Sequence, residues 1–300
     1  MTNTPDTYAG FIAMVGLPNA GKSSLINAML NRKVSIVSRK RQTTRMPIMA
    51  ALSQGQHQLI FVDTPGVFNP KGKFEKAIAQ SIEQGIRDAD TLVLIIDARR
   101  RDCFEDNRAL VDNLNQKNKP VVVLLNKSDL LKQDELLPII KQFKDKLPES
   151  EIIVTSTVSK VGLDLFLEVL KEKIPSSPWF YDETCSISLS EKIQASELTR
   201  EQIFDLIHEE IPYQVFVETD KLTQTNKNEL IIYQTIYVQH KRHVGMFLGT
   251  KGQTIKLINQ RARQEMCNVF GKPCHLYLHV KVDPNWQTKS FFYRAIGLKG

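Results

Sequence analysis

The stretch that decides the fold is Phe11-Ile12-Ala13-Met14-Val15-Gly16-Leu17-Pro18-Asn19-Ala20-Gly21-Lys22-Ser23. Its first five residues form an unbroken apolar run, as a strand covered on both faces does. Lys22 to Leu30 then carry apolar residues at helical spacing, so the glycine-bearing turn joins a strand to a helix. Gly16 to Ser23 match GxxxxGKS between that strand and that helix, the context this phosphate-binding pattern requires. Gly16, Ala20 and Gly21 let backbone N–H groups turn inward around phosphate oxygens, at a helix N-terminus whose partial positive charge favours an anion. Lys22 is placed to reach the β- and γ-phosphates, Ser23 to offer its hydroxyl to magnesium, and Ser24 belongs to the same cradle.

Working outward, similar apolar runs recur at Leu59–Val62, Thr91–Ile96, Val121–Leu125 and Ile152–Thr155. Helix-compatible stretches lie between and after them, near 74–87, 107–117, 135–146 and 163–174. Strands alternating with helices imply an α/β domain with a mainly parallel, doubly wound sheet. Ser53-Gln54-Gly55-Gln56 reads as a hairpin turn and adds one antiparallel edge strand. Pro175-Ser176-Ser177-Pro178 interrupts the pattern, and the domain boundary is placed there, giving domains 1–178 and 179–300. Beyond it the pattern predicts an amphipathic helix over 189–210, strands over 214–219 and 229–238, a glycine-flanked loop, a helix over 253–270, a strand over 275–282 and a short closing helix over 291–296. The second domain is therefore α+β.

Two further motifs sit where strands end. Asp63-Thr64-Pro65-Gly66 puts a carboxylate at the sheet's C-terminal edge, where open α/β sheets bind ligands. Asp63 is expected to hold magnesium, and the Gly66 N–H to sense the γ-phosphate. Asn126-Lys127-Ser128-Asp129 identifies the base. A carboxylate at Asp129 accepts from both N1–H and the exocyclic amine of guanine, a pair that adenine cannot present. GTP or GDP with Mg2+ is the implied ligand. Gln42-Thr43-Thr44-Arg45 reads as a switch segment, with Thr44 binding magnesium while the γ-phosphate is present. Val67-Phe68 after Gly66 leave no glutamine to align a water, so intrinsic hydrolysis is expected to be slow. Lys22, Asn19 and Thr44 are the candidate catalytic residues, Asn19 as the holder of a potassium ion beside the phosphates.

Charge is uneven. From Lys241 onward there are eleven Lys and Arg against two acids, Glu265 and Asp283, so 11 − 2 = +9. From Asp182 to Val238 there are four against eleven, so 4 − 11 = −7. Lys241, Arg242 and Lys256 flank Gly249-Thr250-Lys251-Gly252, a GxxG loop opening a helix, which lets a nucleic-acid backbone approach closely. Met246-Phe247-Leu248 before it are expected to be buried packing. A basic face also suits acidic lipid headgroups. Cys103, Cys185, Cys267 and Cys274 lack zinc-site spacing and read as reduced thiols. No secretory signal or membrane-spanning run is read, so a protein that is soluble or at most on a membrane surface is expected.

These motifs in this order resemble the Era family of bacterial GTPases over about residues 8–286. The resemblance implies a P-loop GTPase domain followed by a type II KH domain. It further implies binding near the 3′ end of 16S ribosomal RNA during assembly of the small ribosomal subunit. A cytoplasmic protein with peripheral contact with the inner membrane is also implied, and a monomer is expected. By the same resemblance Ser156-Thr157 stand where family members read Ser-Ala and back the guanine, and residues 182–188 depart from the usual linker. A tRNA-modification GTPase shares the asparagine-containing phosphate loop, but it needs a modification domain that the C-terminal half does not resemble; a membrane-surface regulatory GTPase is the other alternative.

Overall fold

A computed structural model describes residues 7–37, 48–65, 73–183, 189–207 and 211–289 of the 300-residue chain. It divides into two compact units, one built on a six-stranded sheet and the other on a three-stranded sheet.

In the first unit the strands are β1 (Tyr8–Val15), β2 (Ile48–Gln54), β3 (His57–Asp63), β4 (Thr91–Asp97), β5 (Val121–Asn126) and β6 (Glu151–Val154), in sheet order β2-β3-β1-β4-β5-β6. Among the described strands of this sheet only the β2–β3 pair is antiparallel; β1, β3, β4, β5 and β6 run parallel. Every residue of β4 and β5 is buried, as parallel strands covered by helices on both faces require. The helices are α1 (Lys22–Leu30), α2 (Lys73–Asp88), α3 (Cys103–Asn115), α4 (Gln133–Lys146) and α5 (Leu163–Lys173). Helix α3 starts four residues before its expected position, and Cys103 and Phe104 bury in its first turn.

This arrangement brings the C-terminal ends of β1, β3, β4 and β5 to one edge, where the described residues of the three candidate nucleotide motifs sit. After α5 the chain stays tied to this sheet. Ser177 N–H donates to the Thr7 carbonyl, and the buried Gln58 side chain accepts from the N–H groups of Phe180 and Tyr181 while donating to the Tyr181 carbonyl.

The second unit runs α6 (Glu191–Leu206), β7 (Val215–Gln224), β8 (Leu230–Val238), α7 (Lys241–Leu248), α8 (Gln253–Phe270), β9 (Cys274–Val282). Strands β7 and β8 are antiparallel, β8 and β9 parallel. Inward residues such as Ile232, Ile236 and Leu276 meet Leu198, Ile203, Ile258 and Met266 from α6 and α8. At about 25 cal/mol per Å2, each such side chain contributes roughly 1.5–3 kcal/mol on burial.

Two expectations need correction here. Helix α6 is not one-sided, since Gln194 through Phe204 are all buried. Several of its polar residues find protein partners: Ser196 with Thr219 at 2.7 Å, Thr199 Oγ1 donating to Gln234 Oε1 at 2.6 Å, and Arg200 Nη2 donating to Glu197 at 2.5 Å. Strand β7 also continues beyond Thr219 to Gln224, past an irregularity between Thr219 and Lys221 that breaks the alternation. The expected closing helix over 291–296 lies outside the described residues.

Candidate guanine-nucleotide site

Helix α1 begins straight after Gly21 and has no acidic residue in its first turn, so its N-terminal N–H groups keep their pull on an anion. Gly21 has φ +105°, and a Cβ there would lie 2.2 Å from Asn126 Nδ2. A side chain there would strain the backbone and displace Asn126, which leans across this spot to donate from Nδ2 to the Ala20 carbonyl at 2.9 Å. The Asn126–Asp129 loop thereby braces the Gly16–Ser23 loop.

Lys22 is buried, and its Nζ donates to the carbonyls of Gly16 (3.0 Å) and Leu17 (3.1 Å). Burial pulls its pKa down to about 8, against the upward pull of the Asp63 carboxylate. Ser23 Oγ donates to Asp63 Oδ2 at 2.8 Å. A hydroxyl and a carboxylate side by side beside a phosphate cradle are the hard oxygen donors magnesium takes, so these residues fit the ion. Thr64 Oγ1 donates to the Met14 carbonyl at 2.7 Å and fixes the segment to β1, with Pro65 buried behind it. Asn19 is exposed at the tip of the phosphate loop, and Ser24 is half-buried on α1. Thr44 and Gly66 lie outside the described residues.

At the base end, Ser156 Oγ donates to Asp129 Oδ1 at 2.5 Å, and it accepts from the N–H groups of Val158 and Ser159. The buried serine thus points an exposed carboxylate, while Thr157 follows it half-buried. Ser128 N–H donates to the Thr155 carbonyl at 3.2 Å, joining the two loops. Asn126 Oδ1 is buried with no hydrogen-bond partner among the described residues, a cost that a ligand donor would remove.

Sequence reasoning passed over Asp97. Asp102, five residues further on, only occupies the N-cap position of α3 and makes no side-chain capping bond. Asp97 instead ends β4 opposite Asn126 and receives Lys127 Nζ at 2.7 Å. The legible signal was a carboxylate closing a buried strand beside the strand that carries the base-reading motif.

In the second unit, Gly249 has φ +67°, and a Cβ there would meet Thr254 Oγ1 at 2.1 Å. Lys251 (φ +51°) and Gly252 (φ +77°) are also left-handed, so the loop turns sharply into α8. Lys241, Arg242, Thr250, Lys251 and Lys256 are all exposed. Only Phe247 of the expected apolar trio is buried; Met246 and Leu248 are 46% and 43% exposed beside the loop. Three consecutive residues on a helix point about 100° apart, so one face cannot take them all.

Comparison with known proteins gives the following. The family described as "50S ribosome-binding GTPase" matches residues 11–127, and the family described as "KH domain" matches residues 210–287. GTPase Era of Mesorhizobium japonicum is 37% identical over 296 residues, covering 99% of this chain and 95% of that protein. GTPase Era of Caulobacter vibrioides is 35% identical, covering 99% of each. Among solved structures, Era in complex with MgGDPNP and nucleotides 1506–1542 of 16S ribosomal RNA superimposes with a TM-score of 0.88 at 32% identity, over 97% of this chain and 99% of that one. An Aquifex aeolicus Era variant bound to GDP·AlF4− gives the same TM-score, identity and coverage.

Proposed function

The chain belongs to the Era family of GTPases, and from that premise we propose that it is a GTP-controlled switch that binds the 3′-end region of 16S ribosomal RNA and acts in assembly of the small ribosomal subunit. The observation that carries the nucleotide half is the Asp129 carboxylate held by Ser156, at the end of a loop that Asn126 ties to the phosphate cradle. A fixed carboxylate accepts from guanine N1–H and its amine together, and adenine leaves it mismatched. Lys22 supplies a desolvated positive charge for the β- and γ-phosphates, and the first turn of α1 supplies N–H donors. Ser23 and Asp63 would hold Mg2+, which neutralises phosphate charge and fixes its orientation when bound. Hydrolysis then depends on positioning and charge rather than on a covalent intermediate.

The RNA half is supported by the exposed basic loop Gly249–Gly252 and by the RNA-bound relative. The reading assigns guanine nucleotide to residues 1–178 and RNA to residues 179–300. GTP closes the switch segment around Thr44 and Gly66, favouring RNA, and hydrolysis releases it; a potassium ion at Asn19 assists that step. No helix among the described residues is long and apolar enough to cross a membrane, and we place the protein in the cytoplasm with peripheral contact through its basic face to acidic lipid.

The experiment is affinity for an RNA carrying the 3′ end of 16S rRNA, measured with GDPNP and then with GDP. Tighter binding with GDPNP is expected. Equal affinity in the two states would remove the switch from the reading, and no binding in either would remove the RNA.

A further inference from the structure

Asp97 belongs to none of the nucleotide motifs, yet it is 6% exposed and sits at the hub of four donated hydrogen bonds. Lys127 Nζ donates to its Oδ2 at 2.7 Å and, with the same ammonium, to the Asn19 carbonyl of the phosphate loop at 2.7 Å. Arg99 grips the other side, with Nη2 at 3.0 Å from Oδ2 and Nε at 3.3 Å from Oδ1. Burial by itself would raise the Asp97 carboxyl, but the hydrogen bonds and charges of Arg99 and Lys127 hold it below its usual range.

Lys127 is a long, flexible side chain on a residue with left-handed backbone, φ +66°. Left to itself it would sample many rotamers. Its bond to a neutral carbonyl is weaker than a charge-assisted one. We propose that Asp97 is a positioning residue for nucleotide retention: by anchoring Lys127 it locks the base-reading loop to the phosphate loop, so that both ends of one nucleotide meet pockets already at the right spacing. Preorganisation of this kind acts mainly on the rate of release. Arg99, with half its side chain exposed, steadies Asp97 rather than touching the loop bridge.

This inference rests on the guanine-nucleotide reading above. The test is stopped-flow release of a fluorescent GDP analogue (mant-GDP) from the purified chain. Asp97→Ala should speed release ~30-fold, the scale of one charge-assisted hydrogen bond. Lys127→Ala should do about the same, and the double variant should release no faster than the faster single variant. Asp97→Asn keeps an acceptor without the charge and should restore most of the loss, leaving release ~5-fold faster than wild type. Wild-type release from Asp97→Ala, or an equal further acceleration when Asp97→Ala is added to Lys127→Ala, overturns the proposal, since the second result is what a purely structural role gives. Should Asp97→Ala fail to fold by circular dichroism, Asp97→Asn decides alone, and release at the wild-type rate overturns the proposal. A wild-type chain that takes up no mant-GDP would instead sink the guanine-site reading.

Discussion

The two candidate binding regions are built on opposite plans. At the nucleotide site, Lys22, Ser23, Asp63, Thr64, Asn126 and Ser156 are all buried. Lys22, Ser23, Thr64, Asn126 and Ser156 each donate a hydrogen bond to a named atom of a neighbouring segment, and Asp63 receives the one from Ser23. Around the Gly249–Gly252 loop, Lys241 and Arg242 on α7, Lys251 in the turn and Lys256 on α8 all stand in solvent. The first plan gives preformed geometry in a low-dielectric setting, where one lost group leaves others mismatched. The second gives a set of solvated charges, each worth little, which add up and are screened by salt. Specificity for a small ligand and adhesion to a long polyanion call for these two solutions respectively.

Substitutions should therefore fall off a cliff in one region and down a slope in the other. Lys22→Ala should give the largest effect, weakening GTP about 1000-fold, because the charge it supplies is desolvated and has no substitute; equilibrium dialysis with GTP measures it. Asp129→Asn should weaken guanine nucleotides ~100-fold and shift preference toward xanthine nucleotides. A GTP affinity that does not move in competition titrations would remove Asp129 from the base-reading role. Replacing Lys251 and Gly252 together with Asp should reduce RNA affinity at least ~30-fold through repulsion of phosphate, with GTP affinity unchanged; RNA retained in a filter-binding assay would move the contact elsewhere. Lys256→Ala alone should cost only about threefold, and should flatten the plot of log affinity against log salt by about one counterion. A drop as steep as that of Lys22→Ala would erase the contrast between the regions.

How much of this was readable from the chain follows the same divide. The first sheet was legible because its parallel strands are buried on both faces and so print as unbroken apolar runs, with the motifs at their ends. The β2–β3 hairpin was legible through Gly55. What stayed hidden depends on register and partnership. Asp97 gains its meaning only from lying opposite Asn126 on the next strand, which spacing along the chain does not reveal. The polar residues of α6 look like a solvent face until Thr219 and Gln234 supply their partners. A buried pair such as Arg200 and Glu197 is equally silent in sequence, although removing one member of such a pair costs roughly 3–5 kcal/mol.

The central claim is that a carboxylate fixed at position 129 selects the purine while the cradle around Lys22 grips its phosphates. Isothermal titration calorimetry of the purified chain with GDP and with ADP, in magnesium buffer, tests it most directly. The account predicts stoichiometric binding of GDP and no measurable heat from ADP at the same concentrations. Comparable affinity for the two would contradict it.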